Sequence, residues 1–218
     1  MSDTVIFYPG MLRAYSECPL KYKLKYLDNI VIVQNQSYSQ TGRKIHALAN
    51  FYLKGQDVTK LENALNEEER NLFNQLKSNP LFNKIYINSE YNLTANLAGY
   101  WISGRLDALV KDVGGYYILD YKTGALPKNP QYDFQTVFYL TILNIYLKGV
   151  RPEEIHFVYM DLKNNKNVEI SLNENLAKEY SQILKTSCDT ISEDKQFVPN
   201  TKSCKFCEYV KFCPKCED

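Results

Sequence analysis

Hydrophobic and polar positions alternate most clearly in the middle of the chain. Gly99 to Val110 and Tyr116 to Tyr121 are rich in branched and aromatic residues and predict two strands around a Gly114-Gly115 turn. Ile85 to Leu93 predicts a strand before them. Ile155 to Met160 predicts one after, continuing to Val168–Ile170 across a turn at Asn164-Asn165. Helical spacing governs the rest. After a turn at Tyr8-Pro9-Gly10, Met11 to Asp28 reads as a helix start, a break at Cys18-Pro19 and a basic aromatic helix. Further helices are predicted over Ser39–Leu53, Val58–Leu76, Asp133–Leu147 and Asn173–Ser187, with Ser78-Asn79-Pro80 and Gly149 as stops. Strands mixed with helices predict an α/β fold.

Composition narrows the class. The 218 residues are 44% hydrophobic and 23% charged, which suits one soluble core with at most a small appendage. A net charge of +1 argues against a uniformly basic coat. Any DNA-binding patch must be local, around Arg43-Lys44 or Lys21 to Lys25, and such patches are more often solvated faces. The 18 tyrosines could stack on unpaired bases, yet most fall within packing patterns. The start MSDTVIFYPGM lacks the pattern of a signal peptide, and Thr136–Tyr146 is too short and polar to span a membrane. A cytoplasmic location with reduced cysteines is expected. The chain has no Walker-type phosphate loop, which argues against a helicase motor.

The hairpin carries the first chemistry. Asp120 and Lys122 point to one face, with Tyr121 opposite. If Val113-Gly114 form the turn, Asp107 falls opposite Asp120; if Gly114-Gly115 do, it falls opposite Lys122. Either two-residue turn gathers all three side chains, whereas a three-residue loop or a bulge would disperse them. Two carboxylates so close repel unless a cation separates them. Magnesium or a similar ion between Asp107 and Asp120 could acidify a water, with Lys122 offsetting charge on a phosphate. A surface salt bridge on a two-stranded ribbon is the plainer reading.

Cys204-Lys-Phe-Cys207 and Cys213-Pro-Lys-Cys216 form a metal-like cluster. Zinc could take all four, but the five-residue gap between the pairs is tighter than the ~15–20 of two-knuckle zinc sites. An iron–sulfur cluster could take Cys204, Cys207 and Cys213, with Cys18 as fourth ligand and Cys216 as a spare thiol or a replacement for it. Cys188, and Cys18 on the plainer view, read as buried free thiols. His46 on a helix is ordinarily a satisfied histidine. Gln135 and Tyr139, one helical turn apart, are ordinarily packing residues. Glu90, in the strand before the hairpin, is a further candidate acid, with a solvated side chain as the plainer reading.

Taken in order, Gly42-x-x-x-His46, Gly104-Arg-Leu-Asp107, Asp120-Tyr-Lys122 and Gln135-x-x-x-Tyr139 resemble the RecB-like branch of the PD-(D/E)XK nuclease superfamily. With Cys18, Cys204, Cys207 and Cys213 the chain resembles its iron–sulfur members, which include CRISPR-associated exonucleases and the nuclease domain of AddB-type repair enzymes. The resemblance implies a restriction-endonuclease-like mixed β-sheet flanked by helices over residues 1–200, and a tail at 201–218 closing a [4Fe–4S] cluster with Cys18. It implies Mg2+ or Mn2+ held by His46, Asp107, Asp120 and the Tyr121 carbonyl, a catalytic Lys122, and DNA positioned by Gln135 and Tyr139. By size and the lack of a motor the chain is most similar to stand-alone CRISPR-associated exonucleases. These trim single-stranded DNA ends for spacer acquisition alongside integrase proteins. A repair nuclease, or a DNA-end-binding adaptation factor with incidental cleavage, are the alternatives.

Overall fold

A computed structural model describes residues 5–32 and 37–214. Six strands form one mixed sheet: β1 (Ile6–Phe7), β2 (Ile85–Leu97), β3 (Tyr100–Asp112), β4 (Gly115–Lys122), β5 (Ile155–Asp161) and β6 (Lys166–Ser171). β2 runs antiparallel along the whole of β3, from Leu97 opposite Tyr100 to Ile85 opposite Lys111. That leaves one free edge on β3. β4 takes the end of this edge from Ala108 to Asp112, and the short parallel β1 takes Trp101 and Ile102 at the other end. β4 and β5 are parallel, joined by a crossover through the helix α6 (Phe134–Tyr146), and β6 closes the sheet as an antiparallel edge.

Helices cover both faces, giving the restriction-endonuclease-like α/β architecture expected from the sequence. On one face α1 (Pro9–Glu17), α6 and α7 (Glu174–Glu193) enclose Ile102, Leu106, Ile118 and Phe157. On the other, α3 (Ser37–Leu53) and α5 (Glu67–Ser78) enclose Ala108, Val110, Leu119 and Met160. The alternation along β4 reflects these two layers: Ile118 enters the first core, and Tyr117, Leu119 and Tyr121 the second. Asp120, between them, faces α6.

Several sequence expectations need correction. Tyr8-Pro9-Gly10 is not a turn but the start of α1, where Pro9 occupies the first helical position and loses no hydrogen bond. The break at Cys18-Pro19 is present, but in place of one basic helix the chain forms a short α2 (Pro19–Tyr22) running into a π-turn over Lys23–Leu27. The Val58–Leu76 helix is two, α4 (Thr59–Asn63) and α5, because Asn66 and Glu69 form a capping box that starts a new helix. β2 extends to Leu97, and β1 went unanticipated because two residues carry no readable period. The hairpin has Asp112 opposite Gly115, so its turn is Val113-Gly114.

Candidate metal centre at a split in the sheet

Backbone pairing between β3 and β4 stops at Ala108 and Leu119. Beyond that pair the strands part, and the Tyr121 N–H donates instead to Asp107 Oδ2 at 3.0 Å. A carboxylate therefore occupies the gap where a ladder carbonyl would have been. Asp120, Tyr121 and Lys122 stay in place because each pairs with β5, opposite Tyr159, Met160 and Asp161.

α3 approaches from the second face. A Cβ on Gly42 would sit 3.2 Å from Thr123 Oγ1, so glycine one turn before His46 permits the close contact. His46 bridges the split, with Nδ1 3.1 Å from Asp107 Oδ1 and Nε2 2.9 Å from the Tyr121 carbonyl oxygen. Both ring nitrogens face acceptors, which suits the doubly protonated ring. Burial pulls its pKa down, but Asp107 and the Tyr121 carbonyl outweigh it and raise it to about 8.

From the first face, α6 delivers Gln135. Asp133 caps the helix by accepting from the Gln135 N–H and is itself held by Arg13 at 2.7 Å. Gln135 Nε2 donates to Asp120 Oδ1 at 2.6 Å and its Oε1 accepts from Lys122 Nζ at 3.0 Å. Lys122 Nζ also lies 2.7 Å from Asp120 Oδ2. That oxygen is buried, and despite the ion pair no donor is aligned on it as a hydrogen bond. Burial, then repulsion from Asp107, raises the Asp120 pKa to about 6 against the pull of Lys122. Tyr139 lies deeper. Its ring fills the space beneath Gly104, where a Cβ would come within 2.5 Å of Cε1, and its hydroxyl donates to the Arg105 carbonyl at 2.8 Å. Tyr139 is thus a largely buried support of β3.

Glu90 is not the solvated side chain expected. It stands on β2 between the pairs Ser89–Ala108 and Tyr91–Leu106, hence across from Asp107, with its side chain 22% exposed and 2.9 Å from Arg105 Nε. Its φ of +50° is a left-handed conformation inside a strand, a strained state of the kind that gathers at functional sites. Donor atoms of His46, Glu90 and Asp107 all lie within 4.8 Å of one another. Sequence reading left Glu90 as a candidate acid and preferred solvation, because nothing in SEYNL marks a left-handed residue. These observations fit a divalent cation: oxygen donors from three strands, one imidazole, and a buried carboxylate oxygen without an aligned donor.

The cysteines meet elsewhere. Cys18 caps α1 in an extended conformation, and with Cys204, Cys207 and Cys213 it lines one cavity of about 190 Å³, closed by Leu20 and Leu24. The Asn200 N–H donates to Cys18 Sγ at 3.3 Å, and Lys21 ties the tail down through Glu208 at 3.1 Å. Cys188 is buried in the first core, as a packing thiol would be. Cys216 lies outside the described residues. Among those described, no helix is long and apolar enough to cross a membrane.

Comparison with known proteins agrees with this geometry. The family model of the PD-(D/E)XK nuclease superfamily matches residues 9–91 and 82–214, and the chain belongs to that superfamily. It is therefore a nuclease of PD-(D/E)XK type, a class that acts with divalent metals on DNA. Among solved structures it is similar to a candidate exonuclease from Eubacterium rectale, at 12% identity and a TM-score of 0.58 over 94% of this chain and 86% of the other. It is also similar to SSO0001, at 19% identity and a TM-score of 0.47 over 98% and 88%. No curated protein matches.

Proposed function

We propose that the chain is a metal-dependent deoxyribonuclease that removes nucleotides from single-stranded DNA ends. The observation that carries this reading is the convergence of His46, Asp107, Asp120, the Tyr121 carbonyl and Lys122 on one split between strands. His46, Asp107, Asp120 and the Tyr121 carbonyl would hold the cation, with Glu90 beside them. The bound ion would supply Lewis acidity to the phosphoryl group and lower the pKa of a nearby water. Lys122 would offset negative charge developing on the phosphate, which favours the reaction because the ammonium is already oriented by Asp120 and Gln135. Gln135 would act by positioning that ammonium and the Asp120 carboxylate. Exonuclease action draws on the sequence resemblance, and the Eubacterium rectale neighbour is described in the same terms.

The same reading gives the chain a nuclease domain over residues 1–200 and a tail over 201–218 that closes a [4Fe–4S] cluster with Cys18, Cys204, Cys207 and Cys213. What supports the reading is that Cys18, Cys204, Cys207 and Cys213 line one cavity although Cys18 is far from the others in sequence. The N–H donated to Cys18 is of the kind that stabilises cluster sulfurs. By resemblance the role is prespacer trimming in CRISPR spacer acquisition, in company with integrase proteins.

Digestion of an end-labelled single strand with magnesium or manganese tests the chemistry. Wild-type protein is expected to shorten the strand stepwise, while Lys122→Ala binds it and leaves it whole. Full manganese-dependent cleavage by that variant would overturn the mechanism. Anaerobically purified protein should be brown and bleach with dithionite; colourless protein with one zinc would overturn the cluster.

A further inference from the structure

Trp101 is the only tryptophan in the chain, and it stands 43% exposed at the start of β3, paired to β1 on one side and β2 on the other. Its neighbour across the β1–β3 pairing, Ile6, is 39% exposed on the same face, while Phe7 and Ile102 turn into the core. A lone exposed apolar residue needs no explanation, but these two begin an ordered strip. Trp101, Ser103 and Arg105 share one face of β3, and Asn96, Thr94 and Asn92 lie opposite them on β2. From the hairpin tip inward the strip presents an indole, then the exposed Thr94, whose hydroxyl is hydrogen-bonded to the buried Ser103 beneath it, then the Arg105 guanidinium. Arg105 is 66% exposed and borders the cleft that Arg43, His46, Glu90 and Asp107 line. No acid stands on the strip before Glu90.

We infer that this face of the β2–β3 ribbon is the entry track for one unpaired DNA strand, with a base stacked on Trp101 and a phosphate at Arg105. The inference rests on the nuclease reading and adds to it the path of the substrate. Spacing agrees. Six residues of strand separate Trp101 from Asp107, about 20 Å, the reach of on the order of three to four extended nucleotides. Stacking along the track needs unpaired bases, since both faces of every internal base of a duplex are taken. The track therefore selects single strands at a point remote from the cation.

Trp101 reports on its own role, because its emission can be excited apart from the tyrosines. In EDTA, where cleavage is suppressed, oligo-dT of six nucleotides should quench that emission saturably, while a dinucleotide and a blunt duplex should not. Trp101→Ala should weaken binding of a labelled hexanucleotide about tenfold, and Trp101→Phe should recover most of the loss. Quenching by the duplex to the same extent would overturn the track. So would wild-type protein that cleaves the hexanucleotide with unchanged emission while Trp101→Ala binds as tightly, and in that case the nuclease reading survives. Quenching and tight binding with no metal-dependent cleavage would keep the track and overturn the nuclease reading.

Discussion

Replacing Asp120 should strengthen the metal-free fold while removing the chemistry. Its carboxyl is buried and sits beside Asp107, and its pKa is raised from 3.8 to about 6. The ionised form is thus disfavoured in the folded state. Below the ordinary carboxylate value no penalty exists; it grows as pH climbs through the folded value and is complete at neutral pH. A rise of about two pH units at ~1.36 kcal/mol each gives about 3 kcal/mol. Asparagine imitates the neutral acid, and its oxygen can still accept from Gln135. In EDTA at about pH 7.5, Asp120→Asn should therefore be more stable than wild type by about 3 kcal/mol, or roughly 6–12 °C in Tm. At about pH 4.5 the gain should shrink to about 1 kcal/mol. Saturating manganese should reverse the order, because only wild type offers the full ligand set. Urea denaturation followed by far-ultraviolet circular dichroism measures each case. An Asp120→Asn protein no more stable than wild type at neutral pH, or a gain indifferent to pH, would refute the reasoning.

The same geometry makes other outcomes measurable. Between about pH 6.5 and 8 the apparent manganese affinity of wild type should rise close to tenfold per unit, since the imidazolium of His46 must lose a proton before it can ligate. Calorimetric titration should find that slope flattened in His46→Gln, and an unchanged slope would acquit the histidine. Gly104→Ala drives a methyl into the Tyr139 ring and should cost about 1–3 kcal/mol of stability in urea melts. An unaltered midpoint would mean that the ring has room to retreat. Cys18→Ser should lower folded yield and bleach the protein's visible absorbance, if loading the cluster and closing the chain are one event; full colour in the variant would give its place to another thiol.

Much of this arrangement was legible in the sequence, for identifiable reasons. A two-residue turn sets Asp107 level with Asp120 or Lys122 by counting, and the Asp112–Gly115 pair selects Asp120. Asp133 and Asn173 announced the starts of their helices because their side chains accept from backbone N–H groups left unpaired there. What stayed hidden depends on contacts between distant segments. The parting of β3 from β4 has no local signature, since Asp107 replaces a backbone partner only when Tyr121 arrives from another strand. Glu90 was misjudged because its left-handed backbone and its Arg105 partner exist only in the folded sheet. Tyr139 shares a helix face with Gln135, as spacing requires, yet only the missing Cβ of Gly104 reveals that the ring goes underneath.

The Asp120–Lys122 segment is held by β5, which the chain reaches only after α6. A ribosome that has released the acids and the lysine has not yet released the strand that aligns them. Parallel pairing across such a crossover is slow, non-local folding. An unfinished chain thus carries the reactive groups without the strand that aligns them.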